Sequence, residues 1–133
     1  MARIALVGSM VLLAIVAGQP GGYVSAGSDP CSNAVNQREL TECVAQEYMK
    51  ADAKLNDVYK SLLTSLDREH QLKLKTAQRA WITFRDAECD LQASEALHGS
   101  MEKQLRYTCL QEVTTARIKD LNALRETLKD YVG

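Results

Sequence analysis

Residues 77–90 read AQRAWITFRDAECD. Trp81 and Phe84 stand three apart, and counting outward at threes and fours gives Leu74, Ala77, Trp81, Phe84, Glu88 and Leu91. That spacing is the apolar stripe of an amphipathic helix and shows none of the strict alternation of a half-buried strand. Glu88 is the one polar member. A bare carboxylate on a buried face is strongly disfavoured, so Glu88 needs a donor. Tyr48 is one candidate, and Arg85, three residues earlier on the same helix, is another.

The same periodicity continues on both sides. Upstream, Leu40, Val44, Tyr48, Ala51, Leu55, Val58 or Tyr59, Leu62 and Leu66 form a second stripe, with Asn36 placed to cap it and Glu39 to complete a capping box. Downstream, His98-Gly99-Ser100 reads as a stop and restart, with Gly99 supplying a left-handed turn and Ser100 the next cap. A third stripe follows in Leu110, Val113, Arg117, Leu121, Leu124 and Leu128, and its polar member is Arg117. Both prolines, at 20 and 30, precede all of this, and no internal repeat is present. The expectation is an all-α protein, a three-helix antiparallel up-down-up bundle with two disulfides. Arg117 and Trp81 lie equally far from Gly99, so the guanidinium is expected to stack on the indole.

The first residues are set apart from that domain. Arg3 opens an apolar run from Ile4 to Ala17, and Val24-Ser25-Ala26 offers a cleavage site, which reads as a secretory leader over 1–26 followed by a single domain over 27–133. The run breaks at Gly18-Gln19-Pro20-Gly21-Gly22, short of the roughly 20 apolar residues a bilayer span needs, so no stable membrane insertion is expected once the leader is removed. All four cysteines follow the leader, and an even count in an exported chain points to disulfides. Cys89 and Cys109 are each ten residues from Gly99, so a helical hairpin sets them opposite one another. Cys31 and Cys43 are then left to pair through a fold-back of the segment before Asn36. A Cys43–Cys89 bridge around a turn near Asp67 is also within reach. Zinc is disfavoured, because there is no C-x-x-C pair and only two histidines are present.

Charge narrows the function. The chain has 16 basic and 17 acidic side chains, a balance that disfavours bulk nucleic-acid binding. Its distribution is lopsided. Residues 86–102 hold Asp86, Glu88, Asp90, Glu95 and Glu102 with no Lys or Arg, whereas 68–79 hold Arg68, Lys73, Lys75 and Arg79 against Glu69 alone. The acidic stretch surrounds the expected turn between the second and third helices and would suit a cationic partner. Asp90, Glu95, His98, Ser100 and Glu102 are its candidate contacts. No catalytic arrangement emerges. No second carboxylate can be placed at glycosidase separation from Glu88, no nucleophile–histidine partnership is evident, and neither a metal site nor a cofactor is expected.

The run Ala77-Gln78-Arg79-Ala80-Trp81-Ile82, with Phe84-Arg85-Asp86-Ala87-Glu88-Cys89 after it, resembles the signature of the LprI-type lysozyme inhibitor family. The likeness extends through Cys43, Tyr48, Ala51-Asp52, Leu55-Asn56 and Tyr59, and through Gly99-Ser100, Cys109-Leu110, Thr114 and Arg117. His98 departs from it, since a second glycine is commoner there. The resemblance implies an exported, periplasmic or secreted, disulfide-bonded helical domain that is not an enzyme. It also implies a lysozyme partner, occluded stoichiometrically, with an immunity or envelope-stress module directed at another cell-wall hydrolase or envelope protein as the alternative. Trp81, Phe84, Arg85, Asp86, Glu88 and Arg117 are family-signature positions expected to serve structure, with Trp81 and Phe84 in the core.

Overall fold

The computed structural model describes residues 29–96 and 99–131; the expected leader, 1–26, and His98 lie outside them. Among the described residues the fold is all-helical. Helix α1 runs Gln37–Ser65, α2 Arg68–Ala93 and α3 Met101–Thr127, with 3-10 turns at Ser94–Ala96 and Lys129–Tyr131.

Helix α1 starts where its sequence asks it to. The Asn36 side chain accepts a hydrogen bond from the Glu39 backbone N–H at 2.9 Å. The Glu39 carboxylate reaches back to the Val35 N–H at 3.2 Å and to the Asn36 amide at 2.8 Å. Donors that a helix start leaves unmet are thus satisfied reciprocally. Helix α2 follows after only Leu66 and Asp67, and Asp67 caps it by accepting from the His70 N–H at 2.9 Å. The C-terminal 3-10 turn closes this corner: the Asp67 N–H donates to the Tyr131 carbonyl at 3.0 Å, and the His70 and Tyr131 rings lie 4.2 Å apart.

Helix α3 is the element on which both others pack, and α1 touches α2 only slightly. Between α1 and α3, Gln37 meets Gln104 and Ser61 meets Arg125. Between α2 and α3, Asp90 meets Arg106, Cys89 bonds Cys109 and Gln78 meets Arg117. The core has two centres. Leu55, Val58, Leu62, Leu66, Leu74 and Leu121 are buried together, with Trp81, Ile118 and Leu124 against them. Cys89, Cys109 and Leu110 form a smaller cluster beside Tyr48, Tyr107 and Val113. Each buried leucine contributes about 1.5–3 kcal/mol, so the apolar stabilisation is concentrated at the end holding Leu62. The other end, where Cys31 bonds Cys43 and Cys89 bonds Cys109, is cross-linked instead.

The structure corrects the expected stripe of α2. Its buried residues are Leu74, Gln78, Arg85, Cys89 and Ala93. Phe84 is 57% exposed and Leu91 67%, Ala77 is exposed, and Glu88 is only half-buried. The bridge to Cys109 accounts for this. Cys89 must face α3, so residues one, two or three turns before it on the same side go inward with it, and neighbours one position away are rotated by roughly 100°. Arg85 therefore occupies the interior place expected of Glu88, and Phe84 is not core. Two turn details also differ. Gly99 does not adopt a left-handed conformation. An added Cβ there would stand 3.2 Å from the Ala96 carbonyl oxygen, whose acceptor role toward the Gly99 N–H closes the turn at 2.9 Å. Ser100 occupies the cap position of α3 but makes no side-chain cap hydrogen bond, and its backbone is already helical (φ −60°, ψ −20°) where a capping residue is extended.

Replacing Cys89 and Cys109 together by serine should lower stability by roughly 2 to 4 kcal/mol in denaturant melts; an unchanged midpoint would show the bridge to be dispensable. The two hydrogen bonds from His70, through its backbone N–H and then its ring, hold the Asp67 carboxyl below its ordinary 3.8. Its contribution is therefore complete above that pH and lost as pH falls through the lowered value. Melting temperatures of the wild type and Asp67→Asn should thus differ at neutral pH and converge under strong acid, and a constant gap would contradict the assignment. The Thr114 hydroxyl is fully buried and lacks a hydrogen-bond partner among the described residues. Thr114→Val should melt at the same or a higher temperature; a loss exceeding about 1 kcal/mol would mean that the hydroxyl is bonded after all.

Candidate functional site

Midway along the molecule, between the leucine and cysteine clusters, polar and aromatic side chains from all three helices meet. Arg85 of α2 is 8% exposed. Its Nη1 donates to Asp52 of α1 at 3.2 Å, while Nε and Nη2 donate to Asp86 at 2.9 Å. Its guanidinium carbon lies 5.3 Å from the Trp81 ring centre and 5.8 Å from that of Tyr48. Arg117 of α3 approaches Trp81 at 5.7 Å and donates from Nε to Gln78 at 3.1 Å. A buried cation is tolerated only when paired and hydrogen-bonded, and Arg85 has two carboxylates for that purpose. Burial holds Arg117 below the ordinary arginine value, with nearby Asp120 opposing the shift. Burial likewise raises the Tyr48 phenol, and the Arg85 charge works against it.

This layer contains Trp81, Arg85, Asp86 and Arg117 of the signature positions and leaves out two. Phe84 points away from it. Glu88 accepts from Gln92 at 3.0 Å, one turn along, and from neither Tyr48 nor Arg85. The sequence reading missed Asp52 and Gln78 as members. Asp52 sits beside Ala51 on the α1 stripe, and Gln78 lies seven residues before Arg85, so the inward face was detectable once Cys89 was taken as its anchor. Its members bond to one another across the three helices, which makes the layer a brace between them.

The cysteine end offers the accessible chemistry. Here the α2–α3 connection lies beyond the Cys89–Cys109 bridge. The start of α1 is tied to the same end through Gln37 and Gln104, at 2.8 Å, and through Cys31–Cys43. The expected contacts do not all present free charge. Asp90 is exposed but paired with Arg106 at 2.6 Å, and that hydrogen bond raises the arginine. Asp86 is committed to Arg85. Glu95 and Ser100 are exposed, while Glu102 is half-buried with its N–H bonded to the Gly99 carbonyl. Glu95 lines a shallow groove of about 310 Å³ with Gln92, Leu105, Thr108, Cys109 and Glu112. Glu112 was not foreseen: it lies three residues after Cys109, outside the acidic run. Two carboxylates over a rigid floor can accept hydrogen bonds from a cationic side chain. Among the described residues no group of His, Cys, Asp and Glu could hold a metal ion, and no helix is long and apolar enough to cross a membrane.

Comparison with known proteins matches this architecture to a family. The model of the family described as lysozyme inhibitor LprI covers residues 28–121, from just before the first bridge to the leucine end of α3. The chain is 37% identical over 113 residues to uncharacterized protein R02472 of Rhizobium meliloti (strain 1021), spanning 75% of this chain and 81% of that one. It is 29% identical over 107 residues to uncharacterized protein YecT of Escherichia coli (strain K12), spanning 69% of this chain and 66% of the relative. No solved structure matches. The four cysteines, the Trp81–Arg85–Arg117 layer and the span of the family match lead to one assignment: this chain belongs to the LprI lysozyme inhibitor family.

Proposed function

We propose that the protein is an exported, non-catalytic inhibitor that binds a lysozyme one-to-one through its cysteine end and occludes the enzyme's cleft. In this reading residues 1–26 are a cleaved leader and 27–133 the mature periplasmic or secreted domain. The three helices form an up-down-up bundle, an arrangement supported by the order of the α1–α3 and α2–α3 contacts.

The observation that carries the proposal is the Glu95–Glu112 groove over the Cys89–Cys109 bridge. Two cross-links hold that end in one shape before any partner arrives, which reduces the ordering cost of binding. Many lysozymes are strongly cationic, so exposed carboxylates on the inhibitor accelerate encounter. Asp90 is a weaker steering charge than its place in the sequence suggests, because Arg106 neutralises it. The family match supports the partner class.

Cell-wall clearing by several lysozymes should fall with added oxidised protein and reach its floor near equimolar ratio. Joint replacement Glu95→Gln and Glu112→Gln should slow association and flatten its salt dependence, while Asp90→Asn should do so less. Clearing that is indifferent to the protein would redirect the site to another cell-wall hydrolase or an envelope protein. Unchanged association by the double variant would remove the groove from the interface.

A further inference from the structure

The rotation of α2 imposed by its bridge leaves a second apolar face outside. Ala77, Ala80, Phe84, Ala87 and Leu91 are all exposed, and they recur at intervals of three, four, three and four. That is the seam of a coiled coil, on the side of α2 turned away from α3. A shallow depression lined by Leu72, Lys73, Thr76 and Ala77 lies at one end of it. Side chains of this kind on a regular seam gain little by facing water and match the surface of another helix.

We propose that this face is where a second copy of the chain docks, with the two α2 helices running in opposite directions about a twofold axis near Ile82. This inference is independent of lysozyme binding and uses a different surface. Reversal of one helix opposes no two bulky apolar residues of the seam. Phe84 lies opposite Ala80 of the partner copy, Ala77 opposite Ala87, and Leu91 opposite Lys73, where the depression beside Leu72 and Thr76 receives it. Charge selects the same direction. The first half of α2 bears Arg68, Lys73, Lys75 and Arg79, and among the described residues Lys75 and Arg79 have no ion pair. In the second half Asp86 and Asp90 are held by Arg85 and Arg106, which leaves Glu88, with Glu95 beyond it, as the carboxylates without an ion pair among the described residues. Antiparallel pairing brings basic half to acidic half twice, whereas parallel pairing opposes like charges along the whole seam. Five seam residues per copy make an interface at the small end for a specific complex, so the dimer is weak and concentration-dependent.

Sedimentation of the oxidised mature protein, from micromolar to millimolar concentration and at low and high salt, provides the test. Reversible dimers that weaken with salt are expected. Phe84→Asp should weaken the dimer at least roughly tenfold, since it places a charge in the seam, and Leu91→Asp should act likewise; circular dichroism of both variants should stay unchanged because both sites are already exposed. Ala77→Cys should cross-link to Ala87→Cys when the two variants are mixed and much less to itself. A chain that stays monomeric throughout, a dimer indifferent to both aspartates, or self-cross-linking of Ala77→Cys would each overturn the proposal. A monomer whose lysozyme inhibition is abolished by Phe84→Asp would assign the face to the enzyme instead.

Discussion

The Cys89–Cys109 bond decides how α2 is rotated, and most of the molecule follows from that rotation. A bridge with its Cα atoms 5.5 Å apart leaves the helix little freedom to turn about its axis. Arg85 and Gln78 lie on the bridged side, so they enter the interior although neither is apolar. Phe84 and Leu91 lie on the other side and remain in water although both are. Pure apolar patterning would have chosen the reverse. Leaving Phe84 and Leu91 in water forgoes about 1.5–3 kcal/mol for each, which is not less than the roughly 2–4 kcal/mol of one bridge, so the burial of Leu74 and Ala93 and the paired Arg85 act with the bridge to fix this face.

Once Arg85 is inside, the surrounding residues are determined by its charge. Asp52 and Asp86 supply carboxylates, and Tyr48 and Trp81 supply ring faces, so the cation is compensated by both hydrogen bonding and cation–π attraction. Arg117 approaches Trp81 from α3 and Asp52 reaches Arg85 from α1, which lets one layer hold three helices in register. Removal of either carboxylate leaves part of this charge uncompensated, whereas a leucine in the same place would pack without specifying which helices meet. Trp81, Arg85, Asp86 and Arg117 are therefore the parts of a brace between helices.

The helices themselves were legible from periodicity, since Leu55, Val58 and Leu62 on α1, Leu66 at its end, and Leu110 and Leu121 on α3 are inside where the spacing places them. The hairpin register around Gly99 favoured Cys89–Cys109, and a fold-back before Asn36 favoured Cys31–Cys43, with Cys43–Cys89 left open by the sequence; the two favoured bridges are the ones present. The face of α2 was not legible, because two stripes one residue apart compete there and the more apolar one is exposed. Arg106, which neutralises Asp90, comes from the neighbouring helix, so the acidity of residues 86–102 read along the chain overstates the charge left free in space. Glu112 joins Glu95 for the same reason: proximity across helices has no signature in a linear charge count.

Stability is thus divided between two ends held by different forces, leucine burial at one and cross-links at the other. Native-state hydrogen exchange, recorded on the protein with its bridges intact and after reduction, tests this division most directly. Protection after reduction should collapse to that of an unfolded chain around Cys43, Cys89 and Cys109 while much of it survives at Leu62, Leu74 and Leu121. An equal loss along all three helices, or no loss at the cysteine end, would contradict the account.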